Sequence, residues 1–146
     1  MTGGTALAET RQTALRAALV GCGRIGALTR RDLRERLGPN WLPLSHADAL
    51  VACAGIDLVA CCDPDSDALT RTADAFAVPG RYTDHERLLS EEDIELLAVA
   101  TRSDVRPAIM RKAVERGVSA IHSEKPLALS LADALDVVAI MQAAGT

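Results

Sequence analysis

The chain has 146 residues, with 16 Lys and Arg against 20 Asp and Glu and a formal net charge of −4. That length suits one domain, which at this size buries roughly two thirds of the surface its unfolded chain exposes. There is no clustered basic stripe and only one Phe, one Tyr and one Trp, which excludes the electrostatic footprint and stacking platforms of a nucleic-acid binder. A hydrophobic share of 49%, with no apolar run of bilayer length, excludes a membrane-spanning reading.

In chain order, residues 1–14 carry Gly, Thr and charges without the apolar core of a secretory signal, which predicts a disordered leader and a cytoplasmic protein. A strand predicted at 17–20 then runs straight into Gly21-Cys22-Gly23-Arg24-Ile25-Gly26. Each glycine of this G-x-G-x-x-G has a physical task. Gly21 allows a tight turn off the strand, Gly23 lets the backbone approach a pyrophosphate, and Gly26 permits close packing of the following helix. That helix, with Ile25, Leu28 and Leu33 on its apolar side and Arg24, Arg30 and Arg31 between, would present its first N–H groups to an anion.

Residues 38–46 contain two prolines and read as an inserted loop before a short helix at about 46–53. Further strands are predicted at 57–62, 95–100 and 118–122, with a weak one at 80–82, because short, nearly continuous apolar runs suit parallel strands covered on both faces. Helices between them carry apolar stripes of Leu69, Ala73 and Phe76, then Ile109, Ala113 and Val114, then Leu131, Leu135 and Val138. Ser130 and Asp133 form a capping-box pattern, and Gly117 and Gly145 stand at helix C-caps. Strand and helix in alternation imply an α/β fold, a three-layer doubly wound parallel sheet of Rossmann type over 15–146, with its ligand at the carboxyl ends of the strands.

An acid that receives the adenine ribose is expected about 20 residues past the glycine loop, near Asp48, whereas Asp63 lies 37 past Gly26. Asp63 is the better candidate. It follows directly on an apolar strand, so its carboxylate emerges at the sheet's carboxyl edge, and the insertion accounts for the extra spacing. Accepting from both ribose hydroxyls, and repelling a 2′-phosphate with Asp65 and Asp67 nearby, it favours NAD over NADP. Asp65 is the better candidate for capping the next helix. Cys22, Cys53, Cys61 and Cys62 show no ligand spacing, so no metal site is predicted and they read as buried free thiols. Of the histidines, His85 begins a polar helix and His46 sits in the insertion; only His122, two residues before Glu124, falls near the expected site. Arg111, Lys112, Glu115 and Arg116 read as a solvent-facing helix surface.

Val20-Gly-Cys-Gly-Arg-Ile-Gly26, Cys62-Asp-Pro-Asp65, Tyr82-Thr-Asp84, Val99-Ala-Thr101 and Ser123-Glu-Lys-Pro-Leu127 occur in one order along 15–146. Together they resemble the amino-terminal half of the glucose-fructose oxidoreductase, inositol 2-dehydrogenase and MocA (Gfo/Idh/MocA) family. The resemblance implies an NAD(P)-dependent oxidoreductase that moves a hydride between the nicotinamide and a hydroxyl-bearing carbon of a sugar, cyclitol or related polyol. It implies Lys125 as the catalytic cation beside the nicotinamide ribose and substrate hydroxyl, presented by Pro126, with Glu124 orienting the loop or meeting the ribose. Cofactor contacts are implied from Gly21, Gly23, Arg24, Ile25 and Gly26, from Asp63, from Thr101 and Arg102, and from Glu124, Lys125 and Pro126. The chain departs from the family at Arg102, in place of a proline, and at Arg106, in place of a histidine, both beside the expected nicotinamide position.

The resemblance also implies a sixth strand after Gly145 and a second domain that carries the proton-transferring Asp and His, neither of which falls within these residues. The expected partners are therefore a dinucleotide and a sugar or polyol held through a missing or separate domain, with homo-oligomerisation left open. Two functions follow from this: the cofactor domain of a dehydrogenase, inactive as this chain alone, or an NAD-binding sensor or regulatory module without turnover.

Overall fold

The computed structural model describes residues 14–28, 36–37, 40 and 42–146. Among them are five strands, β1 (Leu15–Val20), β2 (Ile56–Cys62), β3 (Gly80–Tyr82), β4 (Leu96–Val99) and β5 (Ala120–Ser123). They alternate with five helices, α1 (His46–Ala52), α2 (Ser66–Phe76), α3 (His85–Glu91), α4 (Arg106–Glu115) and α5 (Leu131–Ala144). All strand pairings are parallel, in the order β3-β2-β1-β4-β5. The direction of winding reverses between β1 and β4, where a doubly wound sheet opens a crevice at its carboxyl edge.

The central strands β1, β2 and β4 are apolar on both faces because both faces are covered. Ala17 and Leu19 of β1 pack with Ala47 and Leu50 of α1 and Ala68 and Leu69 of α2. Ala18 and Val20 pack on the other side with Leu88 of α3, Ile109 and Met110 of α4 and Val137 of α5. Leu88 and Leu97 are fully buried, and each such side chain contributes about 1.5–3 kcal/mol of apolar burial. The predicted three-layer α/β architecture is thus the observed one.

Four helices begin on a side-chain cap. Ser45, Asp65, Asp84 and Ser130 accept from backbone N–H groups of the first turn, each contact contributing about 1 kcal/mol. Ser130 caps α5 as expected, its hydroxyl accepting from the Asp133 N–H at 3.0 Å and donating to the Asp133 carboxylate at 2.7 Å. Asp65 caps α2 as expected. Helix α4 has no side-chain cap and begins with Arg106 and Pro107.

Two expectations are corrected. The first concerns the glycine turn, whose helical hydrogen-bond ladder passes from Ile25 and Gly26 to α1, while the predicted extension to Leu33 lies outside the described residues. Ala27 and Leu28 donate to Gly23 O, but Ile25 O and Gly26 O then receive the N–H groups of His46 and Ala47. An uninterrupted helix would use donors four residues on; here they lie 21 residues on, so 17 residues are inserted into one hydrogen-bond ladder. Arg30, Arg31 and Leu33 lie outside the described residues, as does the predicted leader apart from Ala14. The second correction concerns α5: Leu131, Leu135 and Val138 are exposed, the first two at 75% and 60%, and Val137 is the residue that enters the core. Arg111 of α4 donates to Asp136 of α5 at 2.6 Å, so it joins two helices instead of serving only a solvated surface.

Candidate functional site

The glycine turn sits at the switch point between β1 and β4. Gly21 has φ +100°, and a Cβ there would come within 2.7 Å of the Ala100 carbonyl at the end of β4. A Cβ on Gly26 would lie 1.8 Å from Gly21 O, inside the turn itself. Gly23 is the opposite case, with nothing within 4 Å of its Cβ position. The turn's own hydrogen bonds begin at the Ala27 N–H, so the N–H groups of Gly23, Ile25 and Gly26 have no partner within the turn. The turn borders a cleft of about 520 Å³, which Gly21 and Gly23 share with Asp63, Thr83, Thr101 and Arg102. Backbone without side chains, leading a helical turn into an open cleft, fits the pyrophosphate of a dinucleotide.

Asp63 emerges from the end of β2 into the same cleft. Its Oδ2 accepts from the Cys22 N–H at 2.7 Å and its Oδ1 from the Asp65 N–H at 2.9 Å. One bond to each oxygen leaves a lone pair on each, enough for two vicinal hydroxyls. Asp48 is otherwise engaged, since it accepts from the Ser45 hydroxyl at 2.7 Å in the cap of α1. Removing the 17 inserted residues places Asp63 20 residues past Gly26, the spacing of an uninterrupted fingerprint. Cys22, Cys61 and Cys62 are buried beneath this turn, while Cys53 is exposed. Burial pushes the Cys62 thiol up to about 12, far from a reactive thiolate.

On the other side of the switch point the loops are held by side chains. Arg106, 3% exposed, donates from Nη1 to Glu124 O at 2.7 Å and to Pro126 O, and from Nη2 to Thr101 O. Burial lowers its pKa, partly offset by the Glu124 carboxylate. Arg102, by contrast, is exposed and pairs with Asp104 at 2.9 Å.

Glu124 turns away from the cleft. Its Oε1 lies 3.3 Å from His46 Nε2, and its Oε2 accepts from the Lys125 N–H at 3.1 Å. Burial raises the Glu124 pKa, but the bonds to His46 and to the Lys125 N–H outweigh it, so the carboxyl is held below its ordinary value. His46 is lowered, chiefly by burial and further by His122 and Arg106, against the raising effect of Glu124. The rings of His46 and His122 are 5.0 Å apart. Both line a second cavity of about 520 Å³ with Glu124 and Ile25. Lys125 is exposed, in a loop whose Lys125–Pro126 peptide is cis.

A family model described as an oxidoreductase family with an NAD-binding Rossmann fold matches residues 15–146. The chain belongs to the Gfo/Idh/MocA oxidoreductase family. It is 34% identical over 109 residues to D-apiose dehydrogenase of Paraburkholderia graminis, covering 75% of this chain and 29% of that protein. A solved oxidoreductase from Agrobacterium radiobacter, in complex with NAD+, L-tartaric acid and magnesium, superposes with a TM-score of 0.71 at 28% identity, over 90% of this chain and 33% of that one. Myo-inositol 2-dehydrogenase from Lactobacillus plantarum gives 0.70 at 26% identity, over 90% and 34%. The chain therefore spans about a third of the length of these relatives.

Of the Gfo/Idh/MocA positions picked out by sequence, the structure brings Gly21, Gly23, Asp63, Thr101 and Arg102 onto one cleft. Gly26 lies under the turn, Arg24 is exposed on it, and Ile25 and Glu124 border the second cavity. Pro126 contributes its carbonyl to Arg106. Sequence reasoning missed His46 and Arg106 as organisers of the Glu-Lys-Pro loop. His46 had a usable signal: with the insertion removed it falls three residues past Gly26. Arg106 was signalled only as a departure from the family pattern, since a buried arginine at a helix start is spelled like a solvated one. Among the described residues no three His, Cys, Asp or Glu side chains are grouped to hold a metal, and no helix is long and apolar enough to cross a membrane.

Proposed function

We propose that this chain is the cofactor-holding part of an NAD-dependent dehydrogenase whose substrate is a sugar, cyclitol or related polyol. The observation that carries the proposal is the cleft at the switch point, where a turn without side chains at Gly21 and Gly23 faces the Asp63 carboxylate. When bound, the nicotinamide would supply hydride acceptance and donation. The residues of this chain would do the rest of the holding: the N–H groups of the glycine turn take the pyrophosphate, and Asp63 takes the adenine-ribose hydroxyls. Thr101 and Arg102 border the nicotinamide end. Lys125, exposed on the next loop, would place its ammonium to stabilise a developing alkoxide. The named relatives support the substrate class, being dehydrogenases of a branched sugar and of a cyclitol. The family resemblance assigns proton transfer to an Asp and a His of a second, substrate-binding domain.

Calorimetric titration with NAD and NADP tests the reading. NAD should bind more tightly, and Asp63→Ala should shrink the preference, because paired hydrogen bonds and charge repulsion together discriminate by a few kcal/mol, about 2–4. Equal affinity of the unaltered chain for both dinucleotides would overturn the assignment of Asp63.

A further inference from the structure

We propose that Arg106 is a positioning residue that sets the place of Lys125 relative to the cofactor cleft. The proposal rests on the reading of Lys125 given above and extends it to a residue outside the cleft.

The Arg106 guanidinium grips the backbone on both sides of Lys125, at the carbonyls of Glu124 and Pro126, while its other amino group holds Thr101 O at the end of β4. Thr101 borders the cofactor cleft. One buried side chain therefore ties the Glu-Lys-Pro loop to the wall of the cleft across the β4–β5 pair. The donors suit the task. A guanidinium has five N–H groups in a planar fork, whereas an imidazole has at most two donors pointing apart and an ammonium has no plane. No carboxylate oxygen takes any of the hydrogen bonds found for Arg106; the acceptors are carbonyls, so the contact orders backbone rather than neutralising charge. Its Nε has no partner among the described residues, so three-carbonyl geometry takes precedence over satisfying every donor. Glu124 completes the arrangement, its carboxylate bound to His46 and to the Lys125 N–H. Lys125 itself is left exposed, with its backbone fixed and its side chain free to reach.

The chain holds two lysines, Lys112 and Lys125, which makes a direct test available. Reductive methylation with 13C-formaldehyde keeps the lysine charge and gives one carbon NMR signal for each. Lys112 lies on α4, paired with Glu115, and serves as internal reference. In the unaltered chain, NAD should shift the Lys125 signal and leave that of Lys112. Arg106→Gln should abolish or at least halve that shift, while amide hydrogen exchange at Glu124, Lys125 and Leu127, the residues of 124–127 that carry an N–H, accelerates about tenfold or more and exchange in β1 and β2 stays slow. Arg106→His should give an intermediate result, and millimolar guanidinium should restore part of the Lys125 shift to Arg106→Ala. An undiminished Lys125 shift in folded Arg106→Gln, or unchanged exchange at 124–127, would overturn the proposal. If Arg106→Gln does not fold, Arg106→His decides by the same two readings. A Lys125 signal that ignores NAD in the unaltered chain, with NAD bound, would overturn the reading of Lys125, and the exchange measurement alone would then decide whether Arg106 holds the loop.

Discussion

The two sides of the switch point are built differently. On the β1–β2 side the site is made of backbone: glycines without Cβ atoms, a turn that donates N–H groups, and one carboxylate that receives the Cys22 N–H from that turn. On the β4–β5 side it is made by side chains that reach the loops from elsewhere, Arg106 from the start of α4 to backbone carbonyls and His46 from the start of α1 to the Glu124 carboxylate. Backbone shape is dictated by which residues lack side chains, and those are visible in a sequence. A side-chain tether depends on where a distant helix delivers its first residue, and that is decided by packing.

The contrast breaks most severely at Gly26. Gly26→Ala places a Cβ 1.8 Å from Gly21 O, and with backbone on both sides of the contact the turn must open. A loss of about 3 kcal/mol or more is expected, read as a lower urea midpoint with unchanged slope; a variant as stable as the unaltered chain would show that the turn is not rigid backbone.

The side-chain half is sharpened by pH. His46 is buried with a pKa below its ordinary value of 6.5, so below that value the unfolded chain takes up a proton that the folded one resists. Folding stability should therefore fall as pH drops through and below 6.5. Glu124, also lowered, acts in the same direction at more acid pH: its contribution is present above its ordinary value of 4.5 and is lost as pH falls through the folded-state value. Comparing urea midpoints at neutral and mildly acid pH, the unaltered chain should lose more stability than His46→Gln. Equal losses would assign the pH dependence to other groups.

The smallest effect is expected at Arg102, although it borders the cleft. Its pair with Asp104 is exposed, with side-chain accessibilities of 86% and 40%, and Arg102→Ala should change stability by less than about 0.5 kcal/mol in a thermal melt. A larger loss would mean that the tethering of this side extends beyond Arg106.

The same division explains what could be read from the sequence. β1, β2, the glycine turn and Asp63 were legible because an apolar run ending in glycine or aspartate places that residue at a sheet edge whatever else the chain does. The face of α5 was not. Apolar residues lie nearly all round it, so Leu131, Leu135 and Val138 form as good a stripe as the one that packs, and it is Val137 that enters the core. His46 was hidden by the insertion, which separates in sequence two pieces of one hydrogen-bond ladder. Arg106 was visible only as a departure from the family pattern, and its burial follows from three carbonyls that converge once the β4 and β5 loops are in place.

The central claim is that the cofactor's pyrophosphate meets bare backbone at Gly23, where an added Cβ would find no protein atom within 4 Å. Titration of Gly23→Val with NAD tests it most directly, because the added side chain should fill ligand space while leaving the fold's circular dichroism and melting temperature unchanged. The account predicts a folded chain with no measurable NAD binding. A folded Gly23→Val that binds NAD as tightly as the unaltered chain would contradict it.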